Sequence, residues 1–307
     1  MLSERQEQNM QHEPTKKAAL KETNRIFFAL FCIAAAQYLV PAAYEMMTHT
    51  ALDDSVKSVI VKILVLCIIL LFRGPKLFRY DMRVVERKMS AAAFTKLFIC
   101  ILAVQTVMAS CLHLAEQALN GAGYTLYGGT VDTRVDTIPI LVIVSGVLIG
   151  PLFEEIVFRG AALRMFESGG KVFAVLISSL AFGIYHRAFA QGFFAIFAGL
   201  VFAYAAIEYS FKWALLLHCL NNFMAGGLNM VVSNIPDSGK GLIDYGVPAL
   251  FLALAIVIVI KDRKEIGRFI KNNPAKTGLY RQTLRSVWLW TFLAGNFIWA
   301  VAAIQKL

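Results

Sequence analysis

The chain has 307 residues, 58% of them hydrophobic and only 16% charged, and its mean hydropathy is +0.62. That composition excludes an ordinary soluble domain and reads as a polytopic membrane protein. The net charge of +10 invites a nucleic-acid reading, which the positions of the basic residues argue against.

Residues 1–25 are polar and of mixed charge, without an apolar stretch followed by a small-residue cleavage site. No cleaved signal peptide is expected, and the first span serves as its own insertion signal behind a cytoplasmic tail. Runs long enough to cross roughly 30 Å of hydrocarbon as helices follow at 26–47, 56–72, 91–114, from 138 into the Glu154 region, and at 172–185, 192–209, 213–232, 247–260 and 287–304. The expectation is an all-α protein, with 26–307 a single domain of eight or nine transmembrane helices. A closed β-barrel needs alternating apolar and polar residues, whereas the stretches 257–260 and 64–71 are apolar on every side. Residues 73–88 form a basic amphipathic connector, and the Gly-rich stretch 116–137 is either a flexible flap or a linker. Residues 261–285 are basic, with Gly267, Pro274 and Gly278 as breakers, and suit a surface segment on anionic lipid heads.

With a cytoplasmic N-terminus, most Lys and Arg residues fall inside: Arg5 to Arg25, Arg73 to Lys88, Arg159 to Lys171, Lys212, and Lys261 to Arg285. Outside lie Lys57, Arg134, Arg187, Lys240 and Lys306, with Lys62 and Lys96 within spans. The positive-inside rule accounts for this asymmetry, so the partners expected are the lipid bilayer and a membrane-associated substrate, with no nucleic acid. Cys32, Cys67, Cys100, Cys111 and Cys219 lie in apolar runs without a CxxC pair. They read as small buried hydrophobes rather than disulfide partners or thiolate ligands.

Against this background Glu154, Glu155, Arg159, His186, His218 and Asn222 stand out, because a Glu or Arg at mid-bilayer costs about 2.5 to 3.5 kcal/mol on translocon scales. On a helix, residues four apart lie about 40° apart around the axis and residues five apart about 140°. Glu155 can therefore pair with Arg159, which leaves Glu154 pointing elsewhere and suited to general-base work on water. The competing reading is a buried structural ion network of all three. Phe182 and His186 share a helical face at a spacing of four, as do His218 and Asn222, with Asn221 adjacent. His12, His49 and His113 have no such partners.

Residues that cooperate must sit at similar depth. Glu154 and His186 lie about fifteen and sixteen residues on either side of the Gly169-Gly170 turn, or some 22 to 24 Å at 1.5 Å per residue. His218 and Asn222 reach the same level if that hairpin protrudes by about two turns. Gly146 and Gly150 form a small-xxx-small pair that would admit a neighbouring helix, and Pro151 can kink the chain just before Glu154.

The pattern Glu154-Glu155-x-x-x-Arg159, Phe182-x-x-x-His186 and His218-x-x-x-Asn222, on successive spans, resembles the CPBP family. The flanking runs Pro151-Leu152-Phe153 and Phe158-Arg159-Gly160 also fit it. The family groups CAAX prenyl endopeptidases of the Rce1 type with bacteriocin-processing and self-immunity proteins, and the likeness covers about 138–226. It implies an eight-helix Rce1-like bundle around a polar intramembrane chamber open to the cytoplasm, the first span being an addition outside the shared core. It implies that Glu154 and His186 activate water, that His218 and Asn222 hold the oxyanion, and that Glu155, Arg159 and Phe182 support the site.

No metal cofactor is expected, since the HExxH of zincins is absent; if zinc is used, its ligands are Glu154, His186 and His218. The substrate class implied is a membrane-associated peptide or lipid-modified protein. Short loops without compartment signals suit a bacterial plasma membrane. A non-enzymatic immunity or binding protein using the same chamber is the alternative. A secondary transporter is a weaker one, because the motif block has no second copy.

Overall fold

The computed structural model of the chain describes residues 4–51, 53–126, 144–232, 245–302 and 304–306. Among the described residues the long elements are all helices: α1 (Glu4–Thr48), α2 (Asp54–Arg73), α3 (Ala91–Gly121), α4 (145–166), α5 (Lys171–Tyr185), α6 (Phe189–Glu208), α7 (Phe211–Val232), α8 (Val247–Asn272) and α9 (Val287–Ala302). The strands are two short pieces, β1 (Tyr124–Thr125) and β2 (Gln305–Lys306), paired antiparallel. Three helical stretches are long and apolar enough to cross a membrane: Leu20–Thr48, Ala91–Gly121 and Gln191–Glu208; Lys171–Tyr185 and Val287–Ala302 are shorter apolar helices. Large apolar side chains such as Leu71, Leu250, Val259 and Ile298 stay exposed on the outer faces, an arrangement that suits contact with lipid. The chain is an all-α integral membrane protein.

Several expectations are corrected. The polar N-terminal segment is helical from Glu4 and continuous with the first span, consistent with its many Glu, Gln, Lys and Ala residues. Gly267 breaks nothing, since α8 runs through it to Asn272; a glycine in an exposed helix costs only about 1 kcal/mol. The break comes at Pro274 and Gly278, whose φ is +78°. All five cysteines are unpaired, but none is buried, and Cys67 and Cys111 are exposed. The Gly-rich 116–137 stretch is helical to Gly121, and its portion from 127 onward lies outside the described residues.

The basic segments gather at one end of the bundle. There Arg25 donates to the Phe72 carbonyl at 2.6 Å, Arg73 pairs with the buried Asp81 at 2.5 Å, Arg87 pairs with Glu265 at 3.0 Å and Lys171 with Glu86 at 3.4 Å. The core between the ends joins Ile26, Phe27, Leu30 and Ile33 of α1 to Phe158, Leu163 and Phe166 of α4 and Phe173 of α5.

α5 and α6 form a close hairpin because glycines face each other where they cross. A Cβ on Gly183 would lie 2.2 Å from Ile196 Cγ1 and 2.6 Å from the Gly192 carbonyl oxygen. Ile196 can turn away, but the backbone oxygen cannot. Gly183→Ala is therefore expected to destabilise the protein by about 1–3 kcal/mol, the usual range for overpacking, measured as a lowered Tm of the detergent-purified protein.

Candidate active site

α4 is not a regular helix. Its π-turn Ser145–Ile149 passes into an α-helical stretch Gly150–Glu155, then a second π-turn Ile156–Ala162, then Leu163–Phe166. Pro151 makes the first irregularity useful. The Gly150 N–H bonds the Ser145 carbonyl, five residues back, and the next donor in that register is missing because proline has no N–H. The Gly146 carbonyl takes its bond from outside the helix, from Asn222 Nδ2 of α7 at 2.9 Å. Among the described residues the expected close approach through a small-residue pair does not occur: a Cβ on Gly146 would meet nothing within 4 Å, and one on Gly150 only the Ser145 oxygen, at 3.1 Å. α7 is held by a freed carbonyl rather than by a missing side chain.

The second π-turn carries Arg159. Its guanidinium pairs with Glu155 at 2.9 Å, both side chains fully buried. It also donates to the Gly199 carbonyl at 3.3 Å and lies over the rings of Phe182, at 4.2 Å, and Phe202, at 5.4 Å. Gly199 on α6 leaves the room: a Cβ there would sit 3.3 Å from Arg159 Nη2 and 3.2 Å from Phe182. Aromatic faces and a backbone carbonyl supply what water cannot at this depth.

Glu155 Oε1 also bonds His218 Nδ1 at 2.9 Å. A carboxylate already paired with arginine is an acceptor, so His218 Nδ1 is the donor and its Nε2 is the ring's other, outward-facing nitrogen. His218 is further held by stacking on Phe202, with ring centroids 4.7 Å apart and 17° between planes. His186, at the end of α5, is fixed the same way by a different partner. Its Nδ1 lies 2.8 Å from the Phe182 carbonyl, again an acceptor, which makes Nδ1 the donor.

Both outward nitrogens face one oxygen. Glu154 Oε2 lies 3.6 Å from His218 Nε2 and 4.0 Å from His186 Nε2. Glu154 is partly exposed, at 30%, whereas Glu155 is fully buried. The structure thus brings Glu154, Glu155, Arg159, Phe182, His186 and His218 together. Asn222 stands one turn from His218 on α7, its Oδ1 accepting from Asn221 at 3.1 Å. One of its two amide N–H groups is used on Gly146, and among the described residues it makes no hydrogen bond to Glu154 or either histidine.

Phe202 and Gly199 were not singled out by sequence reading. Within α6 they look like any apolar pair, and only the position of α6 against Arg159 and His218 distinguishes them.

Glu154 opens onto a cleft of about 500 Å³ between α1, α2, α4 and the end of α5, lined also by Gln37, Tyr38, Pro41, Lys57, Ser58, Lys62, Tyr185 and Arg187. Those residues lie toward the bundle end that carries His49 and Arg187, away from the end where Arg25, Arg73 and Arg87 gather. Among the described residues the cleft runs toward the end opposite the basic segments.

Two carboxylates, two histidines and a buried arginine thus meet on three packed helices, α4, α5 and α7. Residues 136–224 match the family described as Type II CAAX prenyl endopeptidase Rce1-like. The match, under a third of the chain, takes in Glu154, Glu155, Arg159, Phe182, His186, His218 and Asn222, and it makes this segment similar to a family of proteases. No curated protein and no solved structure matches the chain.

Proposed function

We propose that the chain is an intramembrane endopeptidase that hydrolyses a peptide bond of a membrane-associated peptide or protein, CAAX-type or a bacterial peptide precursor. The observation that carries this reading is the convergence of His218 Nε2 and His186 Nε2 on Glu154 Oε2, at 3.6 and 4.0 Å. With its Nδ1 donor engaged on the Phe182 carbonyl, the neutral His186 ring offers a lone pair beside the Glu154 carboxylate, while His218 enters the reaction with a proton on each nitrogen, one on Glu155 and one facing the cleft. A water among these groups gives one hydrogen to Glu154 and the other to His186, which aims its oxygen lone pair into the cleft.

In this reading Glu154 takes a proton as the oxygen attacks the peptide carbonyl. Asn222, through its remaining N–H, and His218, protonated on Nε2 and steadied by Glu155, stabilise the oxyanion. Glu154 then returns the proton to the departing amine as the C–N bond breaks. Glu155 and Arg159 act as positioning residues, because they hold the His218 ring by Nδ1 with Nε2 toward the cleft. Phe182 supports both, through its carbonyl on His186 and its ring on Arg159.

The bundle is proposed to have eight or nine spans with the N-terminus cytoplasmic, in a bacterial plasma membrane. Metal-free chemistry is the reading put forward. The residue types also suit zinc, since two imidazoles and a carboxylate are typical ligands and each histidine donates its other nitrogen to an oxygen, as metal-bound histidines do, but among the described residues no three such groups stand close enough together to hold an ion as they are placed. Glu154, His186 and His218 would hold the ion, which would acidify a bound water.

The test is cleavage of membrane-proximal peptide reporters by the purified protein, wild type beside Glu154→Ala, with and without a chelator. Cleavage lost in the variant and insensitive to the chelator supports the metal-free protease; loss under both conditions supports zinc. If wild type and variant are equally inert and the variant still performs the cellular role, the chain is a binding or immunity protein.

A further inference from the structure

The cleft in front of Glu154 carries more positive charge than the chemistry needs. Among the described residues its acidic lining is Glu154 alone, yet Lys62 of α2 and Arg187, just past α5, face the same space, with Lys57 at its rim. Cations at this depth are ordinarily paired with carboxylates. These two are not. Lys62 Nζ bonds two hydroxyls, Ser58 Oγ and Ser145 Oγ, the latter at 3.4 Å. Arg187 bonds the Gln37 amide oxygen and, at 3.2 Å, the Tyr185 carbonyl, and lies over the Tyr38 ring at 4.8 Å. Among the described residues neither forms a salt bridge.

Backbone strain adds an independent sign. Arg187 has φ +56°, a left-handed conformation uncommon for a side chain without Asn- or Asp-type local bonding. It falls directly after His186, whose ring is tied back to α5 through the Phe182 carbonyl. The reversal at 187 ends the helix there while Arg187 bonds Gln37 of α1 across the cleft. Strain of this kind persists where surrounding contacts over-determine it, and such places cluster at ligand clamps. Gln37 is itself fixed, since its amide nitrogen donates to the Tyr185 hydroxyl. The guanidinium therefore has a rigid mount and keeps N–H donors beyond the two it spends, out of five.

We propose that Lys62 and Arg187 form an anion clamp that selects substrates bearing a carboxylate near the scissile bond, either a free chain terminus or an acidic side chain. The proposal rests on the endopeptidase reading and adds a specificity determinant to it. A guanidinium and an ammonium on two walls of a cleft whose size is typical of ligand pockets hold a carboxylate by charge-assisted hydrogen bonds. Neither Lys62 nor Arg187 belongs to the motif positions, and Lys62 lies outside the matched segment 136–224.

The test uses one reporter in three forms: a free C-terminal carboxylate, a C-terminal amide, and the amide with a glutamate beside the scissile bond. KM is measured with the wild type, and Kd with Glu154→Gln as a catalytically silenced trap. The carboxylated forms are expected to bind about tenfold tighter than the amide, the usual effect of a charged hydrogen bond. Which carboxylated form gains identifies the source. Lys62→Met and Arg187→Met should each shrink that ratio toward one, with KM moving more than kcat, and Lys62→Arg should restore it.

Equal binding of amide and carboxylate by the wild type, an equal loss for both in the Met variants, or competition by phosphatidylglycerol vesicles without any peptide preference would overturn the clamp. If Glu154→Gln cleaves as the wild type does, the proposed catalytic role fails instead, and the Kd ratio still judges the clamp.

Discussion

Glu154→Gln is expected to lower kcat/KM on a cleavable reporter by about 10²- to 10⁴-fold, the range for losing a general base, while the protein accumulates and melts much as the wild type. The substitution keeps the side chain's shape but cannot accept a proton. Glu154 is partly exposed to the cleft, and among the described residues it faces the two histidine Nε2 atoms at 3.6 and 4.0 Å. Removing its charge therefore strands no buried counter-charge. The measurement is steady-state hydrolysis in detergent, beside the Tm of the same preparation. Activity within tenfold of the wild type, with the fold intact, would remove Glu154 from the role of base.

The neighbouring carboxylate is expected to behave in the opposite way. Glu155→Leu leaves Arg159 fully buried, with only the Gly199 carbonyl and two aromatic rings for partners. Breaking a buried pair from one side costs about 3–5 kcal/mol, because the remaining charge is uncompensated. Arg159→Met is expected to cost a similar amount from the other side. The double variant Glu155→Leu/Arg159→Met should recover most of that loss, since apolar replacement of a whole buried pair is often neutral or better.

Hydrolysis by the double variant should nevertheless stay low. His218 Nδ1 loses the acceptor held at 2.9 Å, and with it the bond that fixes which nitrogen faces Glu154. Thermal unfolding and reporter cleavage on the same four proteins separate the two roles. A double variant as unstable as either single would mean the pair does not act as a unit. A stable and fully active double variant would mean that Glu155 does not position His218.

Glu155 and Glu154 are adjacent in sequence and differ in consequence because of helical geometry. The spacing of four to Arg159 assigned the buried pair correctly even though the helix passes into a π-turn at Ile156. The equal-depth estimate likewise agrees with the Oε2 to Nε2 distances across α4, α5 and α7. Both inferences rest on the rise and period of a helix, which are local properties of the backbone. The Gly146 and Gly150 inference failed because it assumed a regular helix. With Gly150 bonded five residues back and Pro151 without a donor, it is the Gly146 carbonyl and not its missing side chain that meets α7.

Composition and hydropathy by themselves determined that this chain is a helical membrane protein, because lipid leaves the backbone few ways to satisfy its hydrogen bonds. Period-four spacing determined which charged residues pair within a helix. Only the tertiary structure decided that Glu155 serves Arg159 and His218 at once, and that Phe202 and Gly199 of α6 complete the arginine's surroundings. It alone placed Lys62, Gln37 and Arg187 around the same cleft as Glu154. These are contacts between helices, set by the rotation and register of each helix against its neighbours, and apolar periodicity is nearly silent about rotation when a helix is greasy on all sides.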